Sequence, residues 1–235
     1  MLEPPDLSDE TIHACLRDAY NISVSKIEFL PLGNDASAWV YRVNDVHACA
    51  YFLKVRAGTI DENNLRLPRW LYDSGIEQVV APLPVQNGRL WTSVDSFGLT
   101  LFPFIDGDSG MKLGLTPPQW IEFGKIVRQI HSTRLPDDLR LRLRHENFVL
   151  NPQWMQVVRE LGRIAIRGDD DPAIQELARF CHAKQAEINR LADRAEELGR
   201  LLRNRKLDFF LCHADIHTAN VLIDQAGALH ITDWD

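Results

Sequence analysis

Asp215, Asn220 and Asp233 carry the chemistry that this sequence offers most plainly. The first two lie in His213-Ala214-Asp215-Ile216-His217-Thr218-Ala219-Asn220, and the second carboxylate follows thirteen residues after the amide. Two carboxylates and an amide oxygen are hard donors, the kind magnesium prefers. A carboxylate can also orient a hydroxyl and take its proton. Two other readings use the same stretch. His213, Asp215 and His217 have the residue types of a transition-metal cluster in a hydrolase. The stretch can equally be a polar turn whose histidines cap backbone groups. The spacing by itself leaves these readings open.

The elements that must position these side chains are legible nearby. Between Asn220 and Asp233 lie Val221-Leu222-Ile223, Asp224-Gln225-Ala226-Gly227 and Leu229-His230-Ile231. That pattern predicts a strand, a Gly-containing turn and a second strand. Such a hairpin brings Asn220 and Asp233 side by side at one end. The protein-kinase catalytic loop has the same order, H-R-D-x-x-x-x-N, a short hairpin and then D-F-G. In that scheme the first Asp positions the acceptor hydroxyl, and the Asn and the last Asp hold magnesium.

Upstream, Ser8 caps a first helix, with Ile12, Cys15, Leu16 and Ala19 as its apolar stripe. Residues 20–104 read as a mainly antiparallel sheet with one helix. Trp39–Val43 and Ala48–Val55 are paired strands around a polar turn at Asn44-Asp45, and Val79–Val85, Arg89–Ser93 and Leu99–Phe104 are further strands. A helical piece spans Asn63 to Asp73. Gly33 and Ser37 lie in a loop of small residues that lets backbone N–H groups approach phosphate, or that simply closes a hairpin. Lys54 points from an apolar strand, where an ammonium needs a partner or a route to water. ATP phosphates or Glu62, eight residues on, would supply that partner. Pro103 and Ile105 sit in a strand that runs into a Gly-terminated turn at Gly107, as an adenine-contacting segment or a plain linker.

After Gly107 the pattern turns helical. Thr116-Pro117-Pro118-Gln119, Asn151-Pro152 and Asp171-Pro172 each start a helix, the last running to about Arg203. The charge-rich stretch from Arg190 to Lys206 reads as a solvated face. The chain of 235 residues therefore predicts an α+β, protein-kinase-like fold of two lobes: a nucleotide-binding lobe over 1–104 and a helical lobe with the catalytic loop over 105–235. A net charge of −7 argues against nucleic-acid binding. The four scattered cysteines fit a reduced, cytoplasmic protein. The start shows no signal-peptide pattern, and no run is apolar enough to span a membrane.

With these residues in order, the chain resembles the aminoglycoside phosphotransferase family, whose relatives include choline and fructosamine kinases. The resemblance is carried by Tyr72-Asp73-Ser74-Gly75-Ile76, Pro103-Phe104-Ile105, Gly124 to His131 and Leu211 to Asp235. It implies phosphoryl transfer from ATP, with Mg2+, to a hydroxyl of an aminoglycoside or aminocyclitol antibiotic such as spectinomycin, a cationic small molecule. By that resemblance Asp215 orients the hydroxyl, and Asn220 and Asp233 bind magnesium. Lys54 contacts the α/β-phosphates, and Gly33, Ser37, Pro103 and Ile105 border the nucleotide. Glu62, His213 and His217 support the site. An endogenous alcohol, as in choline-, fructosamine- or homoserine-kinase-like enzymes, is the alternative acceptor. Two departures stand out: Pro68 falls within the helix behind Lys54, which must start there or kink, and family members continue beyond the point where this chain ends. The second implies an incomplete helical lobe, and with it a nucleotide-binding remnant of little or no activity.

Overall fold

The computed structural model describes residues 3–33, 35, 37–58, 60–161 and 171–234. Backbone contacts divide the chain into two compact units, residues 1–143 with 210–235, and residues 144–209.

The first unit begins with α1 (Asp9–Tyr20), whose cap Ser8 accepts the Thr11 N–H at 3.2 Å. Strands β1 (Val24–Leu30), β2 (Ala38–Asp45) and β3 (Ala50–Ala57) follow, then α2 (Glu62–Asp73), β4 (Thr92–Val94) and β5 (Phe97–Pro103). The five strands form one antiparallel sheet in the order β1-β2-β3-β5-β4. Alternation sends Tyr41, Val43, Leu53, Val55, Leu99 and Leu101 to one face, where they bury Ile12 and Leu16 of α1. The other face therefore carries Lys54, with Val40 and Thr100 opposite it across the two ladders.

Three boundaries differ from the sequence reading. Asn44 and Asp45 belong to β2; the turn comes after them, where the buried Asp45 carboxylate accepts the N–H groups of His47 and Cys49 at 2.8 Å each. Val79–Val85 is not a ladder strand. Pro82 and Pro84 remove two donors from it, and it pairs in places, through Val80 N–H to the Ile231 carbonyl at 2.9 Å, Leu83 N–H to the Leu101 carbonyl at 2.7 Å and Val85 N–H to the Arg89 carbonyl at 2.8 Å. The helix behind Lys54 neither starts at Pro68 nor stops there: α2 begins at Glu62, capped by Asp61, and continues through the proline.

The chain leaves β5 at Pro103 and enters β6 (Gly107–Ser109), α3 (Gly110–Leu113), α4 (Pro117–Ser132) and α5 (Asp137–Arg140). The unit closes with β7 (Val221–Asp224) and β8 (Leu229–Ile231), which form a three-stranded antiparallel sheet in the order β6-β7-β8. Leu67 and Leu71 of α2, Ile126 and Ile130 of α4, and Val221, Ile223, Leu229 and Ile231 of the hairpin share one core. The hairpin is thus fixed by two helices from beneath. In the second unit, α6 (Pro152–Glu160) and α7 (Pro172–Arg203) start at Asn151 and Asp171 caps, as their Asx-Pro sequences predict. Arg159 pairs with Asp193 at 2.8 Å and Glu196 at 3.0 Å along α7.

Candidate active site

The residues around Asp215 form a loop held by bonds from the side chains of His213, His217 and Asn220 to backbone groups. His213 is buried; its Nε2 donates to the Thr232 carbonyl at 2.8 Å, and its ring lies 4.4 Å from that of Trp234. His217 caps a 3-10 turn over Thr218–Asn220, its Nδ1 accepting the Ala219 N–H at 3.2 Å. Its Nε2 lies 3.6 Å from the Asp215 carboxylate and 3.4 Å from the Asn220 amide nitrogen. Asn220 is buried and spends its amide nitrogen on the Asp215 carbonyl at 3.0 Å, so Oδ1 is the amide atom open to a cation. The Asp215 carboxylate itself is 75% exposed. The loop backbone is therefore pinned while its acid reaches outward.

The hairpin performs the juxtaposition that its spacing predicts. Val221 pairs with Ile231, and the Asn220 carbonyl accepts the Thr232 N–H at 3.0 Å and the Thr232 hydroxyl at 3.3 Å. Asp233 follows at once, with φ of 62°, in the left-handed region that Asp tolerates better than most residues. Asp224 organises the turn: Oδ1 accepts the N–H groups of Ala226 and Ala228 at 2.9 Å each, and Oδ2 accepts from His230 Nε2 at 2.9 Å. The His230 hydrogen bond, then the backbone donors, hold the Asp224 carboxyl below the usual carboxylate range. The Gln119 side chain ties α4 to this turn, donating to the Gly227 carbonyl at 3.0 Å.

A cleft between the sheet and the start of α2 takes in one of the predicted residues, Lys54. Lys54 and Arg56 of β3, Thr100 and Phe102 of β5, and Ile60, Asp61, Asn64 and Leu65 line it. Glu62 is not among them. Positions 61, 64 and 65 share one helical face, and position 62 turns about 100° away from residue 61. Beside the cleft, the loop before β2 brings Ser37 onto Asp35, whose Oδ1 accepts the Ser37 N–H at 2.8 Å and hydroxyl at 2.6 Å. Asp35 Oδ2 pairs with Arg56 at 2.6 Å. These bonds, the Ser37 hydroxyl first, hold the Asp35 carboxyl far below its ordinary value. Gly33, in the same loop, has φ of 95°. Pro103 ends β5, and Ile105 lies in the short connection to β6.

Residues 28–235 of the chain match the phosphotransferase enzyme family. The chain belongs to that family. The phosphotransferase is similar over 98% of its length to the crystal structure of spectinomycin phosphotransferase, APH(9)-Ia, in complex with ADP and spectinomycin, at 31% identity and a TM-score of 0.85, covering 70% of that chain. The AMP-bound complex of the same enzyme matches 97% of this chain and 70% of that one, at 30% identity and a TM-score of 0.81. An amicoumacin kinase in complex with AMP-PNP and Ca2+ shares the fold, at 17% identity and a TM-score of 0.58, over 97% of this chain and 64% of that one. No curated protein matches the chain.

The fold is thus α+β and kinase-like, and the phosphotransferase belongs to enzymes that use an alcohol group as acceptor. The hydrolase reading of His213, Asp215 and His217 does not fit the geometry. Among the described residues no group of three His, Cys, Asp or Glu side chains is placed to hold a metal. Arg56 and Asp35 were not singled out by the sequence reading. Arg56 had a usable signal, since strand alternation puts it on the same face as Lys54.

Proposed function

We propose that this phosphotransferase moves the γ-phosphoryl group of ATP to a hydroxyl of a cationic aminocyclitol antibiotic such as spectinomycin. The observation that carries the reading is the 31% identity, along 98% of the chain, to an enzyme crystallised with ADP and spectinomycin. In this reading residues 1–104 form the nucleotide-binding lobe and 105–235 the helical lobe with the catalytic loop. Lys54 meets the α/β-phosphates, Gly33 and Ser37 border them, and Pro103 and Ile105 offer backbone groups to the adenine edge. Asp215 orients the acceptor hydroxyl and takes its proton late in the transfer, a role its outward carboxylate suits. His213 and His217 keep the loop in register, and the Glu62 end of α2 supports Lys54 from behind the cleft.

Asn220 Oδ1 and the Asp233 carboxylate are hard oxygen donors brought to one end of the hairpin, and they fit magnesium. When bound with ATP, the ion neutralises charge on the phosphoryl oxygens. Positioning by these side chains is the rest of the catalysis. The net charge of −7 suits a cationic acceptor and no nucleic acid. Among the described residues no helix is long and apolar enough to cross a membrane, and we place the enzyme in the cytoplasm, where ATP is supplied.

A coupled ADP-release assay over a panel of spectinomycin, aminoglycosides, choline, ethanolamine and homoserine tests the reading. ADP release that depends on spectinomycin supports it. Release driven by one of the metabolites alone transfers the chain to an endogenous alcohol kinase, and ATP binding without turnover on any acceptor makes it a remnant.

A further inference from the structure

We propose that Arg56 is a second phosphate-binding cation of the nucleotide site, and that Asp35 occupies it as an internal stand-in for a phosphoryl group until a nucleoside triphosphate displaces it. The proposal rests on the nucleotide reading of the Lys54 cleft. Lys54 and Arg56 are two residues apart on β3, so their side chains leave the same face of the strand, and both line the cleft. The donors gathered on Asp35 are a backbone N–H and a hydroxyl from Ser37, at 2.8 and 2.6 Å, and the Arg56 guanidinium at 2.6 Å. An amide, a hydroxyl and a guanidinium on one anion make up a set that binds phosphoryl oxygens. Arg presents a planar fork suited to phosphate, which Lys does not.

A carboxylate has two oxygens and one charge. A triphosphate tail brings more of both, and so can take over the same donors when its base enters the cleft. The Asp35 carboxylate is held ionised by its partners, the Ser37 hydroxyl first and the Arg56 guanidinium next. Asp35 thereby gathers on one anion the Ser37 and Arg56 donors that a phosphoryl group would take. Arg56 is only about one-third exposed, with 34% of its side chain accessible, so an anion there meets a partly desolvated charge.

A simple loop latch would make the same ion pair, and the two accounts differ in sign. If Asp35 and Arg56 only latch the loop, removing either weakens nucleotide binding in the same direction. If Arg56 binds phosphate and Asp35 competes for it, the two changes act oppositely. Calorimetric titration of the full chain with magnesium-ATP and, separately, with adenosine reads this. Arg56→Gln is expected to weaken ATP binding by about tenfold or more, the size of a lost charge-assisted hydrogen bond. Arg56→Lys should recover part of that loss, and Asp35→Asn should tighten ATP binding, while adenosine binding is unchanged in all three. An ATP affinity unmoved by Arg56→Gln, or a loss of affinity in Asp35→Asn like that in Arg56→Gln, overturns the proposal. Lys54→Met separates the two levels. If wild type binds no ATP, or Lys54→Met binds it equally well, the nucleotide reading of the cleft fails and the proposal with it. If Lys54→Met weakens binding and Arg56→Gln does not, only the assignment of Arg56 fails.

Discussion

Asp215 is held by its backbone and left open at its side chain. The Asn220 amide grips the carbonyl of Asp215 at 3.0 Å, while the carboxylate is 75% exposed, with His217 Nε2 at 3.6 Å. A group that acts on the acceptor alone should be dispensable for nucleotide binding. Asp215→Asn is therefore expected to lower kcat by about 10²–10⁴-fold while the affinity for ATP, measured by calorimetry, stays at the wild-type value. A parallel loss of ATP affinity would instead make Asp215 part of the nucleotide site. Asp224 has a structural role that pH exposes. Its carboxyl is held below the usual range, chiefly by the His230 hydrogen bond, so the folded hairpin favours the ionised form. The stability it contributes is complete above the unfolded pKa of about 3.9 and is lost as pH falls through the lower folded value. Asp224→Asn should accordingly melt below wild type at neutral pH, and the gap should close below about pH 4. A gap that persists unchanged in acid would contradict this.

The elements that place these residues differ in how far the sequence discloses them. The β7–β8 hairpin is legible because Val221–Ile223 and Leu229–Ile231 are apolar runs around a Gly turn, and Gly227 does adopt φ of 84°. The caps of α1, α4, α6 and α7 are legible for the same kind of local reason. β6 is not. Gly107-Asp108-Ser109 has no apolar alternation, and its strand exists only because β7 offers an open edge. The Lys54 cleft is hidden as well, since it depends on which face of α2 meets the sheet, and that is settled by Leu67 and Leu71 packing below. Gly107 shows how tight the β6–β7 approach is: a Cβ there would lie 2.0 Å from the Ile223 carbonyl oxygen. Gly107→Ala should destabilise the unit by about 1–3 kcal/mol in urea unfolding, as overpacking does. Unchanged stability would mean the strand does not pair as closely as described.

At the scale of the molecule, one chain path links the two groups of site residues. β5 carries Thr100 and Phe102 at the cleft, passes Pro103 and Ile105, and enters β6, which pairs with the very strand that follows Asn220. A second link is the Pro82-Pro84 segment, hydrogen-bonded to β8 at Val80 and to β5 at Leu83. Both groups therefore lie in the compact unit of residues 1–143 and 210–235, joined by these two links. No short motif encodes the acceptor; the one proposed rests on likeness along nearly the whole chain. The most direct test of the account follows phosphorus itself. Phosphorus NMR of the full chain incubated with magnesium-ATP and spectinomycin should show the γ-phosphate signal of ATP falling as a phosphomonoester signal coupled to a carbon-bound proton of the antibiotic rises, and Asp215→Asn should abolish that rise. Release of inorganic phosphate alone, or a spectrum that does not change while ATP is bound, would contradict it.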